Sequence, residues 1–186
     1  VDEEKKSIVA HQIPAESQYD PRKRWSFSEG KLHMTYKNMK LWWRMPKKFS
    51  FEQTHPDLFK LAEFVLLSPI EPDILDGWIP SRTAGYRPGL AFSGGLDSTA
   101  AMQLLPEQTI LLYHKRAGFD SKLDHSNALR FIEYLHVEKN RNVVVVESNQ
   151  EIIRTLHDGK PPGFMTDYAC AVHAILLADH FSLDSI

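Results

Sequence analysis

Cysteine is nearly absent: Cys170 is the only one in 186 residues, which excludes an intrachain disulfide and any multi-cysteine metal site within the chain. The same scarcity fits a reducing compartment. Long apolar runs are missing too. No stretch approaches the roughly 20 residues that cross a bilayer, and the charged opening VDEEKKS is not followed by the apolar core of a signal peptide. A cytoplasmic protein with no membrane partner is the expectation. Nor is there an excess of charge of one sign. The net charge of −2 argues against general attraction to nucleic acid, although almost every ionisable group between Arg22 and Lys48 is basic. Finally, His114, His125, His136, His157, His173 and His180 show no metal-binding spacing such as H-E-x-x-H.

What is present is the composition of a folded protein, 42% hydrophobic and 25% charged. The length allows one sizeable core, or a core domain with a smaller appendage, and the pattern along the chain predicts the second. The chain begins with Val1 and stops at FSLDSI, where an apolar run is starting, so a fragment truncated at its C-terminus is expected.

In the first part, RWSFSEGKLHMTY alternates apolar and polar residues on both sides of a Ser28-Glu29-Gly30 turn, a hairpin signature with MKLWWRM as its partner. HPDLFKLAEFVLLS then places Leu58, Leu61, Ala62, Val65 and Leu66 at helical spacing, with Pro56 in the first turn. Residues 1–68 are thus expected to form a β-rich appendage with one helix, and 69–88, rich in proline and glycine, a connection.

From Gly89 the rhythm changes. Short apolar runs (GLAF, TILLYH, NVVVVES) alternate with helical patterns (LDSTAAMQLL, SNALRFIEYLHVEK, NQEIIRTLH and the long DYACAVHAILLADHF). Continuous apolar strands linked by helices predict, for 89–186, an α/β fold with a parallel sheet covered by helices on both faces. Ligands of such sheets bind at the carboxyl ends of the strands. The stretch AFSGGLDSTA, residues 91–100, stands at one such end.

Gly94 and Gly95 let the backbone turn sharply so that successive N–H groups face an anion. The helix beginning near Leu96 adds unpaired N–H groups and its positive dipole end. Together these make a phosphate cradle, to which Ser93 and Ser98 can donate hydroxyl hydrogens. Asp97 would repel phosphates unless a cation lay between them, and a shared magnesium ion resolves the conflict. A helix cap on an ordinary strand-to-helix turn is the plainer reading of Ser-Gly-Gly alone. The full set of offsets, opening a β/α alternation, favours the cradle.

Ser93-Gly94-Gly95-Leu96-Asp97-Ser98 resembles the SGGxDS loop of the PP-loop ATP pyrophosphatases, the superfamily of the asparagine synthetase synthetase domain, GMP synthetase and 7-cyano-7-deazaguanine synthase. The resemblance extends from about Gly89 to Ile186 and is specific at the loop. It implies a Rossmann-like (flavodoxin-like) sheet, ATP and Mg2+ as cofactors, and adenylation of a carboxylate, amide or carbonyl oxygen with release of pyrophosphate. By position, Ser93, Gly94, Gly95, Leu96, Asp97 and Ser98 would hold the phosphates, with Asp97 on the metal and Asp97 and Ser98 serving the chemistry. Leu112, Tyr113 and His114 would lie near adenine. The substrate would be a small molecule or a modified base. The family places a further strand and a glycine-containing segment after the helix read at 167–181, and the sequence ends before them. Thiolating members use two cysteines, against Cys170 alone here, and the appendage matches no family member.

Other readings compete. AFSGG also fits a relaxed nucleophile elbow, but a serine hydrolase needs a later acid and then a histidine; His157, His173 and His180 are available, but no acid is convincingly matched to them by sequence, and Asp97 is left unexplained. A nucleotide- or nucleic-acid-binding module without chemistry would keep the cradle and use the basic segment 22–48, whose cations are interleaved with Trp25, Tyr36, Trp42 and Trp43, as a docking surface. Hairpin alternation by itself produces one solvated basic face over packed aromatics, and that is the expectation. Cys170 is expected in the core. His114 either ends its strand or meets the ligand. Arg82 and Arg87 are read as linker charges or as nucleotide contacts.

Overall fold

The computed structural model describes residues 19–118, 124–157 and 159–186. The predicted hairpin is present as β1 (Trp25–Ser28) and β2 (Lys31–Tyr36), and β3 (Met39–Arg44) pairs antiparallel with β2. Glu29 and Gly30 take the left-handed conformation at the tight turn, with φ of 53° and 70°. Helix α1 (Pro56–Leu67) follows as the spacing predicts, with His55 Nδ1 accepting the Asp57 N–H at its start.

β4 (Arg87–Ala91), β5 (Ile110–Arg116), β6 (Val143–Ser148) and β7 (Leu183–Ser185) are parallel to one another. Between them run α2 (Leu96–Leu104), α3 (Ser126–Lys139) and α4 (Val172–Leu176). The molecule is an α/β protein built on one mixed seven-stranded sheet, in the order β1-β2-β3-β6-β5-β4-β7. The hairpin strands therefore continue the parallel sheet, joined where Trp43 pairs with Ser148. Counted along the chain, the parallel strands lie third, second, first, fourth across the sheet. The order reverses at β4.

Two apolar layers follow from the alternation of side chains. On one face, Trp25, Leu32, Met34, Leu41 and Trp43 pack with Leu112, Val146, α1 and α4 in a continuous core that includes both the hairpin and the parallel strands. On the other, Phe92, Met102, Leu111 and Leu135 pack under α2 and α3, over β4, β5 and β6 only.

Several expectations change. The segment 150–156 is a 3-10 turn rather than an α-helix, because its side chains are committed to tertiary partners. Gln150 accepts the Trp43 indole N–H at 2.7 Å and donates to the Ala169 carbonyl at 2.6 Å. Glu151 pairs with Arg116. The long helix expected over 167–181 is a 3-10 turn at Asp167–Ala171, the short α4, and a tight reversal through Ser182, whose φ is 55°. Asp179 fixes that reversal by accepting from the His55 N–H at 2.6 Å and Arg82 Nε at 2.7 Å. The chain then enters β7, so a strand does follow this segment.

The connection 69–88 holds a 3-10 turn at Pro72–Leu75 and is tied to α1 by Asp57, which accepts from the Trp78 indole at 2.9 Å and the Arg82 N–H at 2.8 Å. Arg82 is thus a structural tie. Arg87 stands at the amino end of β4, the end away from the glycine loop.

Candidate functional site

β4 delivers the chain to Phe92, whose N–H bonds the Leu112 carbonyl of β5 at 2.8 Å, and the glycine loop begins at the next residue. Gly94 has φ of 75°, a conformation L side chains rarely adopt. A Cβ there would also stand 3.3 Å from that of Ala128 in the first turn of α3. The backbone conformation calls for glycine, an added methyl would press on Ala128, and the starts of α2 and α3 come together at the loop.

Gly95 is the N-cap of α2 and carries no side chain to bond across the helix start. The first bond of α2 runs from the Thr99 N–H to the Gly95 carbonyl at 3.0 Å. The N–H groups of Leu96, Asp97 and Ser98 therefore have no intrahelical acceptor. Ser93 Oγ and Ser98 Oγ lie 3.0 Å apart, Ser93 Oγ accepts the Gly95 N–H at 3.2 Å, and Ser98 Oγ accepts the Ser93 N–H at 3.3 Å. Both hydroxyls are folded onto the loop and remain exposed. Asp97 is exposed on the first turn of α2, and its carboxylate makes no hydrogen bond or ion pair with the described residues. Leu96, at 86% exposure, has no packing role.

Beside the loop is a cavity of about 180 Å³ lined by Phe92, Ser93, Tyr113, His114, Arg116, Phe164, Cys170 and His173. It is smaller than the ~300–1,000 Å³ typical of pockets for whole drug-sized ligands. It suits a single ring. Tyr113 and His114 lie within β5 rather than at its end, since the strand runs on to Arg116. Being adjacent in a strand, they point to opposite faces. Tyr113 hydrogen-bonds His125 Nδ1 at 2.5 Å, just before α3. His114 is buried, bonds Ser148 Oγ through Nε2 at 2.8 Å, and stacks on His173 with ring centroids 5.5 Å apart. Its Nδ1, shielded from water, has no partner among the described residues.

Burial, then the neighbouring His173 and Arg116, pushes the His114 imidazole down to about 3; burial pushes His173 down to about 4. Both rings are neutral near pH 7. Arg116 is neutralised by the buried Glu151 and lies over the Phe164 ring, 5.3 Å from its centroid. The cavity wall is thus aromatic and close to uncharged.

The structure brings Ser93 of the loop and Tyr113 and His114 of the neighbouring strand to one cavity. Phe164 and Arg116 were not singled out in the sequence as members of this site, and His173 only as an available histidine in the hydrolase reading. No local signal marks them, because the turn at 167–171 and the shortened α4 bring His173 back over β5. Cys170 is exposed at the cavity rather than in the core, and burial of its surroundings holds its thiol above the usual range. No imidazole of the cavity bonds the Ser93 hydroxyl. The imidazoles lining the cavity are committed elsewhere, His114 to Ser148 and His173 to the Leu112 carbonyl, while Ser93 Oγ faces Ser98. Larger depressions of about 610 and 680 Å³ lie between α2 and α3 and around Tyr19 and Glu71, away from the loop.

Among the described residues no group of three or more His, Cys, Asp or Glu side chains is arranged to hold a metal ion. No helix is long and apolar enough to cross a membrane. Comparison with models of protein families, with curated proteins and with solved structures gives no match.

Proposed function

We propose that the protein is an ATP-dependent enzyme of the PP-loop type, which transfers AMP to an oxygen of its substrate and releases pyrophosphate. One observation carries this reading. The loop 93–98, with its unbonded N–H groups and exposed hydroxyls, lies where the strand order reverses, with a ring-sized cavity at its side. Open α/β sheets bind their ligands in the crevice at the carboxyl ends of the strands where the strand order reverses. The third-second-first-fourth order of the parallel strands is also the order of the Rossmann-like half-sheet that the resemblance implies.

In this reading the cavity takes the adenine ring, held against the uncharged wall of His114 and His173, with the orphaned His114 Nδ1 able to bond it. The phosphates lie outside on the loop. The N–H groups at the start of α2 face their oxygens, and the Ser93 and Ser98 hydroxyls turn from each other toward them. Charge neutralisation and alignment are the protein's contribution. The substrate oxygen attacks the α-phosphorus, the bond from that phosphorus to the oxygen bridging the α- and β-phosphates breaks, and pyrophosphate carries the electron pair away.

The donor set fits magnesium. One unpaired, exposed carboxylate and the phosphates of the nucleotide are the usual ligands of that ion, which seldom uses an all-protein cage. Asp97 would hold it, and the ion would supply further neutralisation of the phosphates.

A thermal melt tests the proposal. ATP with magnesium at about 100 times its dissociation constant stabilises the fold by ~2.7 kcal/mol. The expected outcome is a magnesium-dependent shift larger with ATP than with GTP, and lost with Asp97→Ala, whose unliganded melt is unchanged. Pyrophosphate release on addition of the substrate completes the case. A shift that survives Asp97→Ala removes the assigned metal role. Saturable ATP binding with no release across carboxylates, amides and carbonyl compounds would favour a binding module without chemistry.

A further inference from the structure

Between Arg22 and Lys48 the chain carries nine cations and one carboxylate, Glu29, although its net charge is −2. The fold separates these cations by role. Arg24 is paired with Glu63 and Glu71, and Arg44 with Glu147. The other seven make no ion pair with the described residues. Alternation in β1–β3 sends Trp25, Leu32, Met34, Tyr36, Leu41 and Trp43 into the core. The opposite face carries Lys31 across from Arg44, His33 across from Trp42, and Thr35 across from Lys40.

Among the described residues this face is uncovered. α2 and α3 lie on the same side of the sheet but pack over β4, β5 and β6. Trp42 is half-buried, with Lys31 Nζ 4.4 Å from the centre of one of its rings. His33 beside it is uncharged near pH 7, its imidazole held down by burial and then by Lys40 and Lys31.

The face also has a position relative to the loop. β3 is antiparallel to β6 and pairs with it at Trp43 and Ser148, so Met39–Trp42 run past the carboxyl end of β6. The Asn149 side chain fixes this overhang, accepting the Trp42 N–H at 2.7 Å and donating to the Lys40 carbonyl at 3.3 Å. Three strand spacings of ~4.8 Å separate β3 from β4, placing the face roughly 14 Å across the sheet from the glycine loop.

We propose that the open face of β1–β3 binds a single strand of nucleic acid, with Trp42 stacking on a base and Lys31 and Lys40 meeting phosphates. Cations without an acidic partner around a half-buried indole, one of them resting on its ring, combine the two elements of single-strand recognition, an electrostatic track and a stacking platform once Lys31 turns to a phosphate. An acidic peptide would use the lysines but gain little from the indole. The inference does not depend on the ATP reading, because none of these residues belongs to the loop or its cavity.

The test is fluorescence anisotropy of the full chain with a labelled single-stranded RNA of mixed sequence, from low to moderate salt. Binding should weaken with salt, and Lys31→Glu with Lys40→Glu should reduce it at least tenfold. Each lost phosphate contact should flatten the dependence of log K on log salt by about 0.7. Trp42→Ala should weaken binding at least fivefold, the lower end of ~1–3 kcal/mol per stacked base. Lys160→Glu, off this face, should leave it unchanged, and thermal melts confirm that each variant is folded. Absence of binding at low salt overturns the proposal, as does equal binding by the Lys31/Lys40 variant. Full affinity in Trp42→Ala, with polyglutamate competing as well as RNA, would reassign the face to an acidic protein partner. Asp97→Ala should bind RNA normally, which keeps this outcome separate from the fate of the nucleotide site.

Discussion

His114 and His173, stacked and buried beside the glycine loop, tie the site to the stability of the fold. In an unfolded chain each titrates near 6.5, whereas in the folded protein they do so at about 3 and about 4. As pH falls below 6.5 the unfolded state therefore takes up protons that the folded state refuses. The stability this represents is complete above pH 6.5 and is lost toward pH 4 and 3, by up to ~1.4 kcal/mol per pH unit for each ring. Urea midpoints measured between pH 7 and 4.5 should fall accordingly. His173→Gln can still donate to the Leu112 carbonyl that His173 contacts, and should show a shallower fall because one proton-binding group is gone. An equally steep fall in that variant would place the titration elsewhere.

β3 is the element that joins the two halves of the sheet. Its connection to β6 is narrow in backbone terms, with Trp43 opposite Ser148, and side chains carry much of it. The Trp43 indole is fully buried, lies 5.4 Å from Trp25 between ring centroids, and donates to Gln150, which in turn holds the turn at Ala169. Trp43→Phe should keep most of the apolar contact while leaving the Gln150 oxygen buried without its donor. The cost should be ~1–3 kcal/mol in denaturant unfolding, the price of an unsatisfied buried polar group. Gln150→Leu added to that variant should recover part of the loss, since removing both partners avoids the orphan. Failure to recover would show that Gln150 acts chiefly through Ala169.

For the molecule as a whole, one apolar core spans the hairpin, α1, α4 and the parallel strands. Glu63 of α1 strengthens that union, accepting from the Trp25 indole at 2.6 Å and Arg24 at 3.1 Å. Shared burial of this kind couples the elements in unfolding. Three of the four tryptophans, Trp25, Trp42 and Trp43, stand on the N-terminal strands and Trp78 in the connection, so fluorescence of a Trp78→Phe variant reports on the strands while far-ultraviolet circular dichroism averages over the chain. The two signals should trace one denaturant transition with a common midpoint. An earlier fluorescence transition would mean that the hairpin strands melt as a separate unit.

The hairpin, α1, the alternating β/α rhythm and the glycine loop were legible in the sequence because each depends on local chemistry: period-two and helical spacing, turn residues, and glycine where the backbone turns left-handed. The segments 150–156 and 167–181 were not. Their apolar spacing suits a helix, but Gln150, Glu151 and Asp179 are held by distant partners, and those bonds outweigh local propensity. For the site, the sequence by itself determined the glycine turn and helix start from Ser93 to Ser98. Only the tertiary structure decided that His114, His173, Phe164 and Arg116 close a cavity beside it, and that the cations of 22–48 divide into paired and open sets. The physical reason is that a loop's N–H groups are aimed by neighbouring dihedrals, whereas a cavity wall and a bare sheet face depend on which remote elements come to rest against them.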